Sequence, residues 1–117
     1  MSEQDSIELV FSVPFLRRLK VLAKKYRKVR QDLGAVLTSL KSGDFQGDRV
    51  VGLDDNIFVL KIRAKNSDIP TGKSGGYRVI YQVQSDRLVL LLLIYAKSDQ
   101  VNASLDEIRD AIVQSEV

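Results

Sequence analysis

The stretch from Phe58 to Tyr81 sets the basic side chains of Lys61, Arg63, Lys73 and Arg78 among residues that favour β-strands. Alternate side chains of a strand share a face, so Lys61 and Arg63 project together, and Arg78 can join them if the next strand pairs with theirs. Fixed cations at close range repel one another, and sequences tolerate this where a polyanion completes the site. The pattern therefore predicts a surface that binds phosphate groups.

The opposite faces of these two strands are apolar. On the first strand Phe58, Leu60 and Ile62 point away from the cations, which predicts that they pack against the core. On the second strand Tyr77 and Tyr81 share a face with two valines, so we expect both tyrosines in the core.

The chain contains neither Cys nor His. It therefore lacks disulfides, thiolate metal ligands and the commonest general base. Any catalysis must use Lys, Arg, Tyr or carboxylate side chains, and we expect no metal and no cofactor.

The charge is unevenly distributed over a chain of 117 residues with a net charge of +3. The segment from Arg17 to Arg30 is strongly basic and has no acid, whereas the segment after Asp99 is mostly acidic. This length predicts one domain, residues 1–117. The start lacks the features of a signal peptide and the longest apolar run, Leu88–Ala96, is too short to span a bilayer, so we expect a cytoplasmic protein with no membrane partner.

Helix signals occur in three places. Ser12 is a candidate N-cap for a basic helix with Pro14 in its first turn. A second helix is predicted from about residue 30 to residue 40, with Gly43 as a left-handed residue after its end. Ser104 and Glu107 have the spacing of a capping box for a final short helix.

Strand patterns cover residues 6–12, 49–53, 57–64, 75–83 and 87–96. The last strand is almost wholly apolar, which predicts a central or doubly covered position. Together these elements predict an α+β domain in which a two-helix hairpin packs on a mainly antiparallel, twisted sheet of four to five strands, with a short C-terminal helix.

Three segments in this order carry a resemblance to a known family: FLRRLKVLAKKY, GYRVIYQV and LLLIYAKSDQVNASLDEI. The chain resembles the RelE/ParE superfamily of toxins from type II toxin–antitoxin systems, in its HigB/RelE-like branch. The resemblance spans nearly the whole domain. It implies a metal-independent endoribonuclease that cleaves messenger RNA on the ribosome through attack by the 2′-hydroxyl, and that is neutralised by a cognate antitoxin with a helix-turn-helix, in a hetero-oligomer.

The resemblance also implies site residues. The implied catalytic residues are Lys61, Arg63, Arg78, Tyr95 and Lys97. The implied RNA-binding residues are Arg17, Lys24, Lys28, Lys65 and Lys73. Val59 departs from the pattern, because RelE itself has a further lysine there.

The chemistry assigns roles to some of these residues and leaves others open. A guanidinium is always charged and can donate two hydrogen bonds to phosphate, so Arg63 and Arg78 suit the stabilisation of a phosphorane. Proton transfer could fall to Lys61 or Lys97. Tyr95 could stack on a base or donate a hydrogen bond.

Two other functions stay open at the level of the sequence. A ParE-like inhibitor of DNA gyrase would need no catalytic residues. A catalytically inactive relative could serve only to bind an antitoxin or to act as a co-repressor. Replacement of Lys61 and Lys97 without loss of toxicity would favour the first, and absence of growth arrest the second.

Overall fold

The computed structural model describes residues 6–69, 75–100 and 102–115. Within these ranges the chain forms three helices and five strands. In chain order they are β1 (Glu8–Phe11), α1 (Val13–Lys25), α2 (Val29–Lys41), β2 (Asp48–Arg49), β3 (Val59–Ala64), β4 (Tyr77–Ser85), β5 (Leu88–Ala96) and α3 (Leu105–Val113).

The strands form one mixed sheet in the order β1-β5-β4-β3-β2. Three neighbouring pairs are antiparallel, as predicted, but β1 runs parallel to β5. The apolar β5 lies between β1 and β4 and is buried along almost its whole length. Its interior position explains its lack of polar residues.

The helix boundaries follow the predicted capping residues. The Ser12 hydroxyl accepts a hydrogen bond from the Phe15 N–H (3.0 Å) and donates one to the Leu92 carbonyl (2.7 Å), which ties the start of α1 to the sheet. Ser104 and Glu107 form the predicted capping box of α3. Gly43, just after α2, has the left-handed φ of 83°. No helix in the described part of the chain is long and apolar enough to cross a membrane.

Two apolar clusters lie on opposite faces of the sheet. One face packs against α1 and α2, and Tyr77, Val79 and Tyr81 are buried there, as predicted. The other face packs against α3, where Val59 and Ile80 are fully buried. Helix α3 therefore covers Val59, and a charged side chain at that position would be desolvated.

Two features of the second and third strands differ from the prediction. A strand was expected over residues 49–53, but β2 ends at Arg49, because Gly52 turns the chain with a φ of 98°. Phe58 was expected on the packed face, but it precedes β3 and is 38% exposed. The Arg49 guanidinium lies 5.0 Å from the centre of the Phe58 ring and covers part of it.

Candidate nucleic-acid interface

Lys61, Arg63 and Arg78 lie side by side on the sheet face that carries α3, and we call them the cation row. Arg63 of β3 is directly opposite Arg78 of β4, and Lys61 lies two residues along β3 on the same face. On its other side Arg78 is opposite Tyr95 of β5. The row thus runs across β3 and β4 next to Tyr95.

The two arginines of the row differ in burial. Arg63 is exposed, whereas Arg78 is only 6% exposed and donates a hydrogen bond from Nη1 to the Tyr77 carbonyl (3.3 Å). Burial lowers the pKa of the Arg78 guanidinium, the charge of Arg63 lowers it further, and Tyr95 acts in the opposite direction. Two guanidinium groups held opposite each other on neighbouring strands form a site that an anion would stabilise.

Tyr95 can take only one of its two predicted roles. The residue is 2% exposed, so its ring cannot stack on a base; the same holds for Tyr81, which is fully buried. Burial is the main cause that raises the pKa of Tyr95, while Arg78 and Arg18 act to lower it. The hydroxyl therefore stays protonated at neutral pH and is a hydrogen-bond donor rather than a base.

Asn102 joins Tyr95 to the cation row and was missed by the sequence reasoning. Its Oδ1 accepts hydrogen bonds from Lys61 Nζ (3.2 Å), the Tyr95 hydroxyl (3.4 Å) and the Ala103 N–H (2.9 Å). The ammonium and the backbone N–H can only donate, which identifies the accepting atom as the amide oxygen. Asn102 is 41 residues from Lys61 along the chain, and no local motif links the two.

Arg18 connects α1 to the same region. Its guanidinium forms an ion pair with Glu107 of α3 and donates to Gln100 Oε1 (3.1 Å). The Gln100 side-chain amide in turn donates to the Asn102 carbonyl (2.8 Å). The Ser104 backbone N–H donates a hydrogen bond to the Glu107 carboxylate (3.0 Å), and this bond is the main cause that lowers the pKa of Glu107. Arg18 lowers it further, so the carboxylate is ionised at neutral pH. Arg18 thus fixes the segment that presents Asn102.

A cavity of about 340 Å³ lies between the β2–β3 edge and α3, and we call it the α3 cavity. The polar residues that line it are Asp48, Arg49, Lys61 and Asn102. Its apolar lining includes Val50, Ile80 and Ile108. Lys61 belongs both to this cavity and to the cation row, so the two are continuous.

Three further predicted residues are Lys97, Lys65 and Lys73. Lys97 follows β5, and its N–H donates to the Gly76 carbonyl (2.9 Å), which puts its backbone beside the start of β4, near Arg78. Lys65 is exposed just beyond β3. Lys73 lies outside the described residues.

The basic residues Arg17, Lys24 and Lys28 are exposed on α1 and the turn after it. Helix α1 packs on the face opposite the cation row. The structure therefore does not bring these three residues together with the row.

Comparison with known proteins gives a likeness in fold. No protein-family model matches the sequence, and no curated protein matches it. Among solved structures, the chain is similar to the YafQ toxin in the crystal structure of the E. coli DinJ–YafQ toxin–antitoxin complex, with a TM-score of 0.54 and 15% sequence identity. The match covers 82% of this chain and 98% of that one, so the chain has the RelE-like toxin fold over most of its length.

Proposed function

We propose that this chain is the toxin of a type II toxin–antitoxin module and that it cleaves messenger RNA in the cytoplasm, with the ribosome holding the message. The observation that carries the proposal is the Arg63–Arg78 pair, with Lys61 beside it on the same face. Likeness to the YafQ toxin supports the toxin class, since that protein was solved with its antitoxin.

The proposed reaction is attack of a ribose 2′-hydroxyl on the adjacent phosphodiester. The 2′-oxygen forms a bond to phosphorus, the bond from phosphorus to the 5′-oxygen breaks, and the products carry a 2′,3′-cyclic phosphate and a 5′-hydroxyl. Arg63 and Arg78 stabilise the additional negative charge that develops on the phosphorane. A guanidinium pair suits this role because its donors are fixed in a plane and stay charged.

Two protons must move during this reaction. The 2′-hydroxyl loses one proton and the leaving 5′-oxygen gains one. We assign these transfers to Lys61 and Lys97 without deciding which is the base. The Tyr95 hydroxyl donates a hydrogen bond to Asn102 Oδ1, which also accepts one from the Lys61 ammonium. Tyr95 does not act as the base, because its raised pKa keeps the hydroxyl protonated.

We assign the protein partner, a cognate antitoxin, to the outer surface of α1. Val13, Leu16 and Val21 of this helix are about half exposed or more. Large apolar side chains grouped on one helix are typical of a surface that a partner covers.

The test is a translation reaction with purified protein, in which the ends of the message are mapped by primer extension with and without ribosomes. We expect cuts at defined positions with the wild type and their loss in Arg63→Ala, which alters an exposed residue. Arg87→Ala, which removes an exposed cation from the β4–β5 turn, is the matched control and should cut normally.

Other outcomes would select another function. Intact messages together with growth arrest in cells would favour inhibition of DNA gyrase. Neither cutting nor growth arrest would indicate an inactive module.

A further inference from the structure

We propose that the α3 cavity receives one nucleobase of the RNA whose phosphate lies on the cation row, and that Asp48 and Asn102 read the edge of that base. This inference rests on the proposed function and deepens it. It assigns a role to a cavity whose walls, apart from Lys61, take no part in the phosphate chemistry.

The positions of the charged residues indicate where the phosphate and the base would each bind. Arg63 and Arg78 lie outside the cavity, and Lys61 lies at its boundary with the row. Asp48 is directly opposite Lys61 on β2 and lines the cavity. Arg49 also lines it, but this residue is opposite Leu60, and its guanidinium is bound to the Asp55 carbonyl and covers the Phe58 ring. A carboxylate repels phosphate but accepts hydrogen bonds from the N–H groups of a base, so a neutral base fits there better than an anion.

The polar groups on the wall have unused hydrogen-bonding capacity. The oxygen of the Asn102 amide is occupied by three donors, which turns its Nδ2 group away from them. Within the described residues, Nδ2 has no hydrogen-bond partner. One free donor and one carboxylate match a base edge that presents both an acceptor and an N–H.

The lining and the size also suit a base. Val50, Ile80 and Ile108 supply apolar surface for a ring, and about 340 Å³ is near the lower end of the range for small-ligand pockets. Lys61 and Arg63 are about 6.6 Å apart along β3, by the rise of a strand. A phosphate on the row and its attached base in the cavity are therefore within the reach of one nucleotide.

The walls of the cavity are held in place. A Cβ atom at Gly52 would lie 2.7 Å from Leu105 Cδ1, so the β2–β3 connection approaches α3 as closely as a glycine permits. Arg109 of α3 donates a hydrogen bond to the Gly52 carbonyl (3.1 Å). The cavity is thus a product of specific contacts between β2–β3 and α3.

The test measures binding of labelled RNA hexamers by fluorescence anisotropy, with 2′-O-methyl riboses that block cleavage. One hexamer is intact, and each of the others lacks the base at a single position. For the wild type we expect loss of one particular base to weaken binding by at least about 5-fold, in line with the usual contribution of a bound base, and loss of the others to matter less.

Three variants locate that effect. Leu105→Trp fills the cavity and should remove the difference between the intact and the critical abasic hexamer, whereas Val113→Trp, at the exposed end of the same helix, should keep it. Asp48→Asn, a conservative change at an exposed residue, should alter the ranking of the four bases at that position, whereas the gain in affinity from the lost negative charge should be the same for every hexamer, the abasic ones included.

The outcomes separate the two proposals. Equal binding of all abasic hexamers, no detectable binding, or an unchanged base ranking in Asp48→Asn overturns the base-binding cavity, even if unmodified RNA is cut. A base-dependent affinity that Leu105→Trp abolishes, without cutting of any message, supports the cavity and overturns the ribonuclease.

Discussion

Arg63 and Arg78 face each other across β3 and β4, and like charges directly opposite in a sheet lower stability. We therefore expect Arg63→Ala to raise the free energy of unfolding by about 0.5 kcal/mol, because it removes this repulsion from an exposed position. The same change should reduce RNA cleavage by at least about 100-fold, as expected for a lost donor to the transition state. Urea denaturation and cleavage rates measure the two effects.

A gain in stability together with a loss of cleavage would distinguish a functional site from a solvent-exposed sheet face without a function. Arg87→Ala should leave the cleavage rate unchanged and should not raise the free energy of unfolding, since Arg87 is an exposed turn residue outside the paired positions of β4 and β5. A variant Arg63→Ala that cleaves RNA at the normal rate would show that the arginine pair is not part of the active site.

Strands β4 and β5 carry three buried tyrosines, and these predict a loss of stability in alkali. Burial raises the pKa of Tyr81 to about 12 and also raises the pKa values of Tyr77 and Tyr95. Above pH 10 the unfolded chain loses these protons while the folded chain keeps them. The stabilisation is thus complete below pH 10 and is lost as the pH rises through the folded pKa values, by about 1.4 kcal/mol per pH unit for each tyrosine.

This alkaline transition is measured by following tyrosinate absorbance and far-ultraviolet circular dichroism together. We expect most of the tyrosinate signal to appear in the same pH interval, above pH 10, in which the secondary structure is lost. Smooth titration of all tyrosines near pH 10 with an unchanged circular dichroism spectrum would contradict the burial on which this prediction rests.

Helix α3 depends on its capping box, because it is a short helix of nine residues. Ser104→Ala should lower the free energy of unfolding by about 1 kcal/mol. The comparison is Ser42→Ala at the C-terminal end of α2, where the hydroxyl donates only to the Ser39 carbonyl of the last turn and its loss should matter less. Equal effects of the two substitutions in urea denaturation would contradict the role of the capping box.

The sequence predicts features that local patterns determine. Ser12, Gly43 and Ser104 mark helix ends because each supplies a hydrogen bond or a backbone angle within a few residues. The row of Lys61 and Arg63 follows from strand alternation in the same way. The roles of these two residues remain predictions.

Features made by contacts distant in sequence were not predicted. The parallel pairing of β1 with β5 joins residues 80 positions apart, and nothing local selects that edge of the sheet. The contact of Asn102 with Lys61 and that of Arg18 with Gln100 arise through tertiary packing alone. The pairing register of β4 with β5 shifts by one residue between Ile80, which is opposite Leu93, and Tyr81, which is opposite Leu91. This shift could not be predicted, because the run Leu90–Leu93 is apolar throughout and shows no alternation of polar and apolar residues.

At the scale of the whole molecule, basic residues occupy two opposite faces, and these should respond differently to salt. The cation row contributes three charges, and α1 presents exposed basic residues on the other face. Each single-strand phosphate that is neutralised contributes about −0.7 to the slope of log K against log salt concentration. Short RNA on the row should therefore show a slope of about −2, and Arg63→Ala should reduce it to about −1.4.

Arg17, Lys24 and Lys28 are out of reach of a short RNA on the row, because they lie on the opposite side of the sheet. Substitution of Arg17, Lys24 and Lys28 by Gln should leave the hexamer slope at about −2 but make the slope for ribosome binding less steep, because these cations would then contact ribosomal RNA. The measurement is affinity over a series of salt concentrations for both ligands. A smaller hexamer slope in the α1 variant would show that single-stranded RNA wraps around the sheet edge onto α1, and an unchanged ribosome slope would remove α1 from the RNA-binding surface.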